Sequence, residues 1–181
     1  DSSLVNSVLF GAADVQKKLN SVTWALTGDG QDRLLRGGRT RYGIAITAGD
    51  LKIQSASARA DDDANLRTHG SFSKAYVNVE RDQRLGETWT VHVSASAQES
   101  NKNLDGSEEF PLAGPHGVRA YAQGYLGGDR GYLATVELRK TFDTAQWLQL
   151  VAFFDHGGVR IDRDPLPSND DNNRTLNGGG F

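Results

Sequence analysis

The run TWTVHVSASAQ, residues 88–98, alternates without a fault: Trp89, Val91, Val93, Ala95 and Ala97 take the odd positions, and Thr88, Thr90, His92, Ser94, Ser96 and Gln98 the even ones. Successive side chains of a β-strand point to opposite faces, so this is a strand with one apolar and one polar side. Its length is about that of one tilted bilayer crossing by a barrel strand. The same scheme recurs on either side. In residues 132–142, Tyr132, Ala134, Val136 and Leu138 share one face, and Thr135, Glu137, Arg139 and Thr141 the other. In residues 146–155 the apolar face is Leu148, Leu150, Ala152 and Phe154, opposite Gln149 and Asp155 with Trp147, Val151 and Phe153. Residues 21–28 and 42–48 are shorter matches, and residues 71–80 alternate less cleanly, with Lys74 and Asn78 beside Phe72 and Tyr76. Near Gly49 and Asp50 the apolar positions move from even to odd, reaching Leu51 and Ile53, which predicts a β-bulge. No long helix is expected; residues 14–19 are a candidate for one turn.

The connections sort into two kinds. Residues 84–86 and 143–145 read as tight turns, whereas 55–70, 99–131 and 157–176 are long and rich in Gly, Asp, Asn and Ser. Pro111, Pro115, Pro165 and Pro167 all fall in the last two, where no ladder donor is needed. Short turns at one end and long loops at the other describe an outer-membrane β-barrel. Residues 29–40 break this rhythm, being too long for the short-turn side.

Composition agrees with that class. The 181 residues suit one domain or a piece of a larger one, and the absence of Cys removes disulfides, thiolate metal sites and cysteine nucleophiles. Lys and Arg total 20 against 23 Asp and Glu, the signs mixed, so no basic footprint for a nucleic acid is present. A mean hydropathy of −0.53 excludes helical membrane spans but not barrel strands, half of whose side chains are polar. The chain opens at Asp1 and ends after a Gly run, which reads as an excerpt. Trp24, Trp89 and Trp147 lie near predicted strand ends, where an interfacial aromatic girdle or an ordinary packed sheet would equally put them.

Residues 99–131 carry Phe110, Leu112, Val118, Tyr121, Tyr125 and Leu126, too apolar for a solvated loop, so this connection should fold back onto something. Here NLDGSEEF (103–110), LAGPHGVRAY (112–121), GDRG (128–131) and ELR (137–139) resemble, in order, the signature of the two-partner secretion transporters, the haemolysin secretion/activation proteins. THGSFSK (68–74) with RDQRL (81–85) resembles the preceding strand pair, and FFDHG (153–157) the family's F-x-D-x-G strand end. The match is densest over residues 68–157 and loose over the first forty. Ala113 departs from the family pattern, which has a second Gly beside Gly114.

The resemblance implies an all-β fold: residues 1–181 as part of a sixteen-stranded antiparallel transmembrane β-barrel, with 99–131 as an inserted loop. At ~10 residues per strand plus turns, the chain should supply roughly eight strands from the middle to late part of the barrel. The family's periplasmic transport-associated domains would lie outside this chain. The implied function is a non-enzymatic pore that carries a large secreted partner exoprotein, of haemolysin or adhesin type, across the Gram-negative outer membrane. Its partners would be that exoprotein and outer-membrane lipid, with no nucleic acid, small-molecule substrate, cofactor or metal.

By the resemblance, Arg119 of the Val-Arg-x-Tyr loop lies inside the lumen against Asp155. Alternation independently turns Asp155 away from Leu148, Leu150 and Phe154, and a guanidinium offers a carboxylate a two-pronged fork. The expected loop motif comprises Ser107, Glu108, Phe110, Gly114, Gly117, Val118, Tyr121, Gly128, Asp129 and Gly131, with Glu137, Arg139, Phe153 and Gly157 as partners on the wall. Residues 61–63 with Asn65, and 169–173, resemble fragments of a calcium loop but lack its Gly and Glu spacing, so solvated loop is the better reading. His69, His92, His116 and His156 would be the general bases of an enzyme, and His92 shares its face with Ser94 and Ser96, but no G-x-S-x-G or H-E-x-x-H motif accompanies them. The alternatives are a barrel-assembly insertase of the same superfamily and a soluble β-rich binding or adhesive module.

Overall fold

Seven long strands pair with their chain neighbours in one antiparallel sheet, in the computed structural model that describes residues 16–142, 148–166 and 171–181. They are β1 (Lys17–Asp32), β2 (Gly38–Ile53), β3 (Gly70–Arg84), β4 (Trp89–Ser100), β7 (Arg130–Thr141), β8 (Gln149–Arg160) and β9 (Asn173–Gly180). Between β4 and β7, β5 (Phe110–Pro111) and β6 (Gly127–Gly128) form a two-residue ladder of their own. The fold is all-β and antiparallel, with one short helix, α1 (Ala56–Ala64). Among the described residues no helix is long and apolar enough to cross a membrane. β1 and β9 are the two edges of the described sheet, which holds seven long strands where about eight were expected. β1 and β2 are longer than the ~10 residues expected per strand, at 16 residues each.

Those longer strands restore the rhythm of the connections. β1 and β2 extend through GDGQD and GRTR, so residues 33–37 alone join them, and residues 85–88 join β3 to β4. At the opposite end, the connections are 54–69, 101–129 and 161–172. The predicted turn at 143–145 and Trp147 lie outside the described residues, as do Pro167, Asn169 and Asp170. The candidate helical turn at 14–19 is corrected where it can be seen: Lys17, Lys18 and Leu19 belong to β1 and pair with β2. Trp24 is corrected likewise, since it sits in the middle of a 16-residue strand rather than near its end, whereas Trp89 opens β4.

The predicted bulge at Gly49 and Asp50 is absent. The ladders of β2 with β1 and with β3 run unbroken through both residues. Leu51 and Ile53 are buried and lie on the same face as Thr47, whereas Ile44 and Ile46 are exposed on the other. The strand therefore stays in phase, and it is the surroundings of one face that change. Near the long-loop end that face is covered by chain, so it becomes apolar. Phe72 and Tyr76 of β3 have the same explanation, which accounts for the imperfect alternation there.

The two faces of the sheet differ throughout. One is bare and carries a continuous apolar surface: Val22, Trp24 and Leu26 on β1, Ile44 and Ile46 on β2, Val77 and Val79 on β3, Val93 on β4, Val136 and Leu138 on β7, Leu150 and Phe154 on β8, all exposed. Register sets these side by side, with Trp24 against Ile46, Ile44 against Val77, and Val93, Val136 and Phe154 in line. No second sheet covers them among the described residues. The other face is covered near its long-loop end by residues 101–129.

Residues 55–70, expected as loop, contain α1. Ser55 caps it, its hydroxyl accepting the Ala58 N–H at 3.4 Å. Asp62 is turned inward rather than toward a cation. It accepts the Thr68 hydroxyl at 2.6 Å, the His69 N–H at 2.9 Å and the Thr68 N–H at 3.2 Å. Burial alone would raise its pKa, but these bonds hold the carboxyl below its ordinary value.

Candidate functional site

The site is built where the 101–129 connection lies against the covered face. Phe110, Leu112, Ala113 and Val118 from the connection form one buried cluster with Val159 of β8 and Leu176 of β9, and Tyr76, Tyr121, Leu126 and Leu133 pack around it. Leu112 and Val118 are completely removed from solvent. Burying each such side chain stabilises the docked loop by ~1.5–3 kcal/mol. Ala113 puts its methyl into this cluster and bridges to Val118.

Glycines of the wall make this approach possible. A Cβ on Gly157 would stand 2.6 Å from both Leu112 Cδ1 and the Tyr132 carbonyl oxygen, and one on Gly131 would collide with the Phe110 ring. Gly114 adopts φ of +114°, a left-handed conformation that L side chains avoid, where the loop turns. Gly117 backs onto the Leu112 carbonyl, and Gly128 onto the Arg160 carbonyl.

From this cluster Arg119 reaches down the wall. Its Nε donates to Asp155 Oδ2 at 2.9 Å and its Nη2 to Asp155 Oδ1 at 2.7 Å, a two-pronged pairing. The Arg119 peptide N–H adds a third bond to Oδ2 at 3.1 Å, and Thr135 Oγ1 donates to Oδ1 at 2.9 Å. Asp155 is 0% exposed, so every one of these bonds compensates a desolvated charge. Arg119 Nη1 donates to Glu137, and its guanidinium carbon lies 3.7 Å from the centre of the Phe153 ring. The structure thus brings together Arg119, Asp155, Glu137 and Phe153.

Glu137 continues the pattern along the wall. It accepts Arg139 Nε at 2.7 Å, and Arg139 Nη1 lies 3.6 Å from Asp82 Oδ1. Asp82 also pairs with His92 Nδ1 at 2.7 Å and Arg41 Nη2 at 3.0 Å, and Arg41 Nε reaches Glu80 at 2.7 Å. One row of alternating charge therefore crosses β8, β7, β4, β3 and β2. Arg41, Glu80, Asp82 and His92 were not anticipated as a group. His92 is held by a carboxylate, and its expected neighbours Ser94 and Ser96 take no part in the row.

The remaining motif residues fix the loop from above. Glu108 pairs with Lys74 at 2.9 Å, both largely buried, and Ser107 donates to Asp105. Asp129, 1% exposed, accepts the N–H groups of Leu104 at 2.8 Å and Arg163 at 2.7 Å, tying the 101–129 and 161–172 connections together. Burial, with Asp162 and Asp164 nearby, pushes its carboxyl upward against those bonds. Glu109 is raised further, to about 7, by burial and by the neighbouring Asp129, Asp162 and Asp105. Tyr121 stacks on Tyr125, ring centres 5.6 Å apart, at the edge of the cluster.

Residues 15–178 match the sequence profile of the haemolysin secretion/activation proteins ShlB/FhaC/HecB. The heme/hemopexin transporter protein HuxB of Haemophilus influenzae is 24% identical over 144 residues, which cover 78% of this chain and 25% of that protein. Its counterpart in strain 86-028NP matches with the same identity and coverage. The chain spans about a quarter of the length of the curated relatives it matches. No solved structure matches it.

Proposed function

The chain belongs to the haemolysin secretion/activation family, and from that membership we propose that it is part of a β-barrel pore exporting a large secreted exoprotein across a Gram-negative outer membrane. The bare face meets lipid and the covered face lines the passage. The 101–129 connection occupies that passage as a plug, with Arg119 as its latch on Asp155 and Glu137. Periplasmic domains that recognise the exoprotein would belong to the rest of the protein. The pore performs no catalytic step; its work is to hold, and then yield, a conduit.

The observation that carries this reading is the pairing of an apolar, uncovered face with a buried ionic latch on the reverse of the same strands. In a soluble sandwich, rows such as Val22–Trp24–Leu26 and Ile44–Ile46 would be buried against a second sheet. Further support comes from the short-turn end, where Lys140 Nζ lies 4.9 Å from the Trp89 ring centre and 5.6 Å from that of Phe142, an arrangement suited to a membrane interface.

The test uses the full-length protein with Arg119→Ala and Asp155→Ala. Removing the arginine leaves a buried, uncompensated carboxylate, costing loop docking ~3–5 kcal/mol. Exoprotein secretion should fall sharply while the barrel still assembles, read as the heat-dependent shift in its electrophoretic mobility. Undiminished secretion through assembled variants would overturn the latch.

A further inference from the structure

On the bare face, where β3, β4, β7, β8 and β9 approach the long-loop end, lies a hollow of about 600 Å³. Its floor is small and apolar: Ala75, Ala97 and Gly158, with the Tyr132 ring along one side. A Cβ on Gly158 would stand 3.0 Å from that ring, so the glycine keeps the floor open. Above the floor stand two guanidiniums, Arg130 and Arg160, directly paired across β7 and β8.

Among the described residues neither guanidinium is fully used. Arg130 pairs with Glu99, yet its Nε is buried without a hydrogen-bond partner among the described residues. Arg160 donates through Nε to the Asp162 carbonyl at 3.2 Å, and among the described residues no carboxylate lies within ion-pair distance of it. The hollow thus carries a net positive charge and an orphaned donor beside an apolar cleft. An orphaned buried N–H is costly and uncommon, and no described residue supplies its acceptor.

We propose that this hollow is a binding site for a phosphate-bearing acyl lipid of the outer leaflet. Its phosphate sits on Arg130 and Arg160, and an acyl chain lies over Ala97, Tyr132 and Gly158. Long loops mark the extracellular end of a barrel, so the arginines stand at the headgroup level of that leaflet. Two guanidiniums offer phosphate the planar donors it prefers, and the apolar floor selects a lipid over a free anion. This inference rests on the outer-membrane placement proposed above.

The test is native mass spectrometry of the full-length protein released from micelles containing diphosphorylated lipid A or the same glycolipid with both phosphates removed. The wild type should retain the diphosphorylated form at least tenfold better, and millimolar inorganic phosphate should not displace it. The variant with Arg130→Gln and Arg160→Gln should lose that preference. Arg160→Gln alone breaks no ion pair among the described residues and should lower it severalfold, which keeps the test valid if the double variant fails to assemble. Equal retention of the two lipids, a preference unchanged by Arg160→Gln, or displacement by phosphate alone would each overturn the site. Membrane fractionation and exoprotein secretion are followed in the same strains. Variants that lose lipid while still exporting isolate this site, whereas a wild type absent from the outer membrane would sink the export reading and the lipid site together.

Discussion

Arg119 and Gly157 fix the docked loop in opposite ways, one by what its side chain reaches and the other by having none. Arg119 spends its fork on Asp155, its remaining terminal nitrogen on Glu137 and its flat face on Phe153. Gly157 leaves the space that Leu112 fills. Gly157→Val should therefore displace Leu112 and loosen the loop, at a cost of ~1–3 kcal/mol by overpacking. Limited proteolysis within 101–129 should become faster, while mobility on electrophoresis still reports an assembled barrel; unchanged cleavage would count against the close packing. Asp155 was legible in the sequence because alternation alone assigns its face. Arg41, Glu80, Asp82 and His92 were not, because their contacts join three strands. Which residues meet across them depends on register, and no local pattern states the register of β2 against β3 and β4.

At the scale of the elements, the 101–129 connection is cross-tied by groups whose protonation matters. Glu109 has a folded pKa of about 7, above its ordinary value of 4.5. Below ~4.5 it is protonated whether the loop is docked or free, and its contribution is fully present. As pH rises through 7 the docked loop must carry a charge that burial and Asp129 oppose, so docking weakens across that window. At about 1.4 kcal/mol per unit the effect is at most a few kcal/mol. Hydrogen exchange of the loop amides should speed up from pH 5 to pH 8, after correction for the intrinsic rate, and Glu109→Gln should flatten the difference. A wild-type pH profile identical to that of Glu109→Gln would refute it. The elements also show what composition hides. GDGQD and GRTR read as loop because Gly and Asp are poor strand formers, yet they lie in ladders whose neighbours override propensity. ASARADDDA lacks an apolar stripe, so nothing marked it as helix. It is held by its Ser55 cap and by the bonds that gather at Asp62.

For the whole molecule, the decisive asymmetry is between the two faces. Val136 sits mid-strand on the bare face, in line with Val93 and Phe154. Val136→Arg should cost the assembled barrel ~2–4 kcal/mol if that position meets the middle of the bilayer. The folded fraction in vesicles, read from heat-dependent mobility, should drop accordingly, whereas Ser94→Thr on the covered face should leave it unchanged. Equal tolerance at both positions would remove the case for lipid contact. This asymmetry was largely legible, because period-two alternation is a local property of each strand. Where it broke down, at Leu51, Ile53, Phe72 and Tyr76, the cause was a segment far along the chain lying over them.

The length of the first hairpin carries one more implication. Sixteen residues of β-strand extend about 50 Å, and at a tilt near 40° they stand nearly 40 Å tall, against an apolar band of ~25 Å. At its short-turn end even the lipid-side positions turn polar, with Arg81 bonded to Asp32 and Thr40. In the proposed pore that end juts past the hydrocarbon as a hydrated collar, a threshold that cargo meets before it reaches the bore.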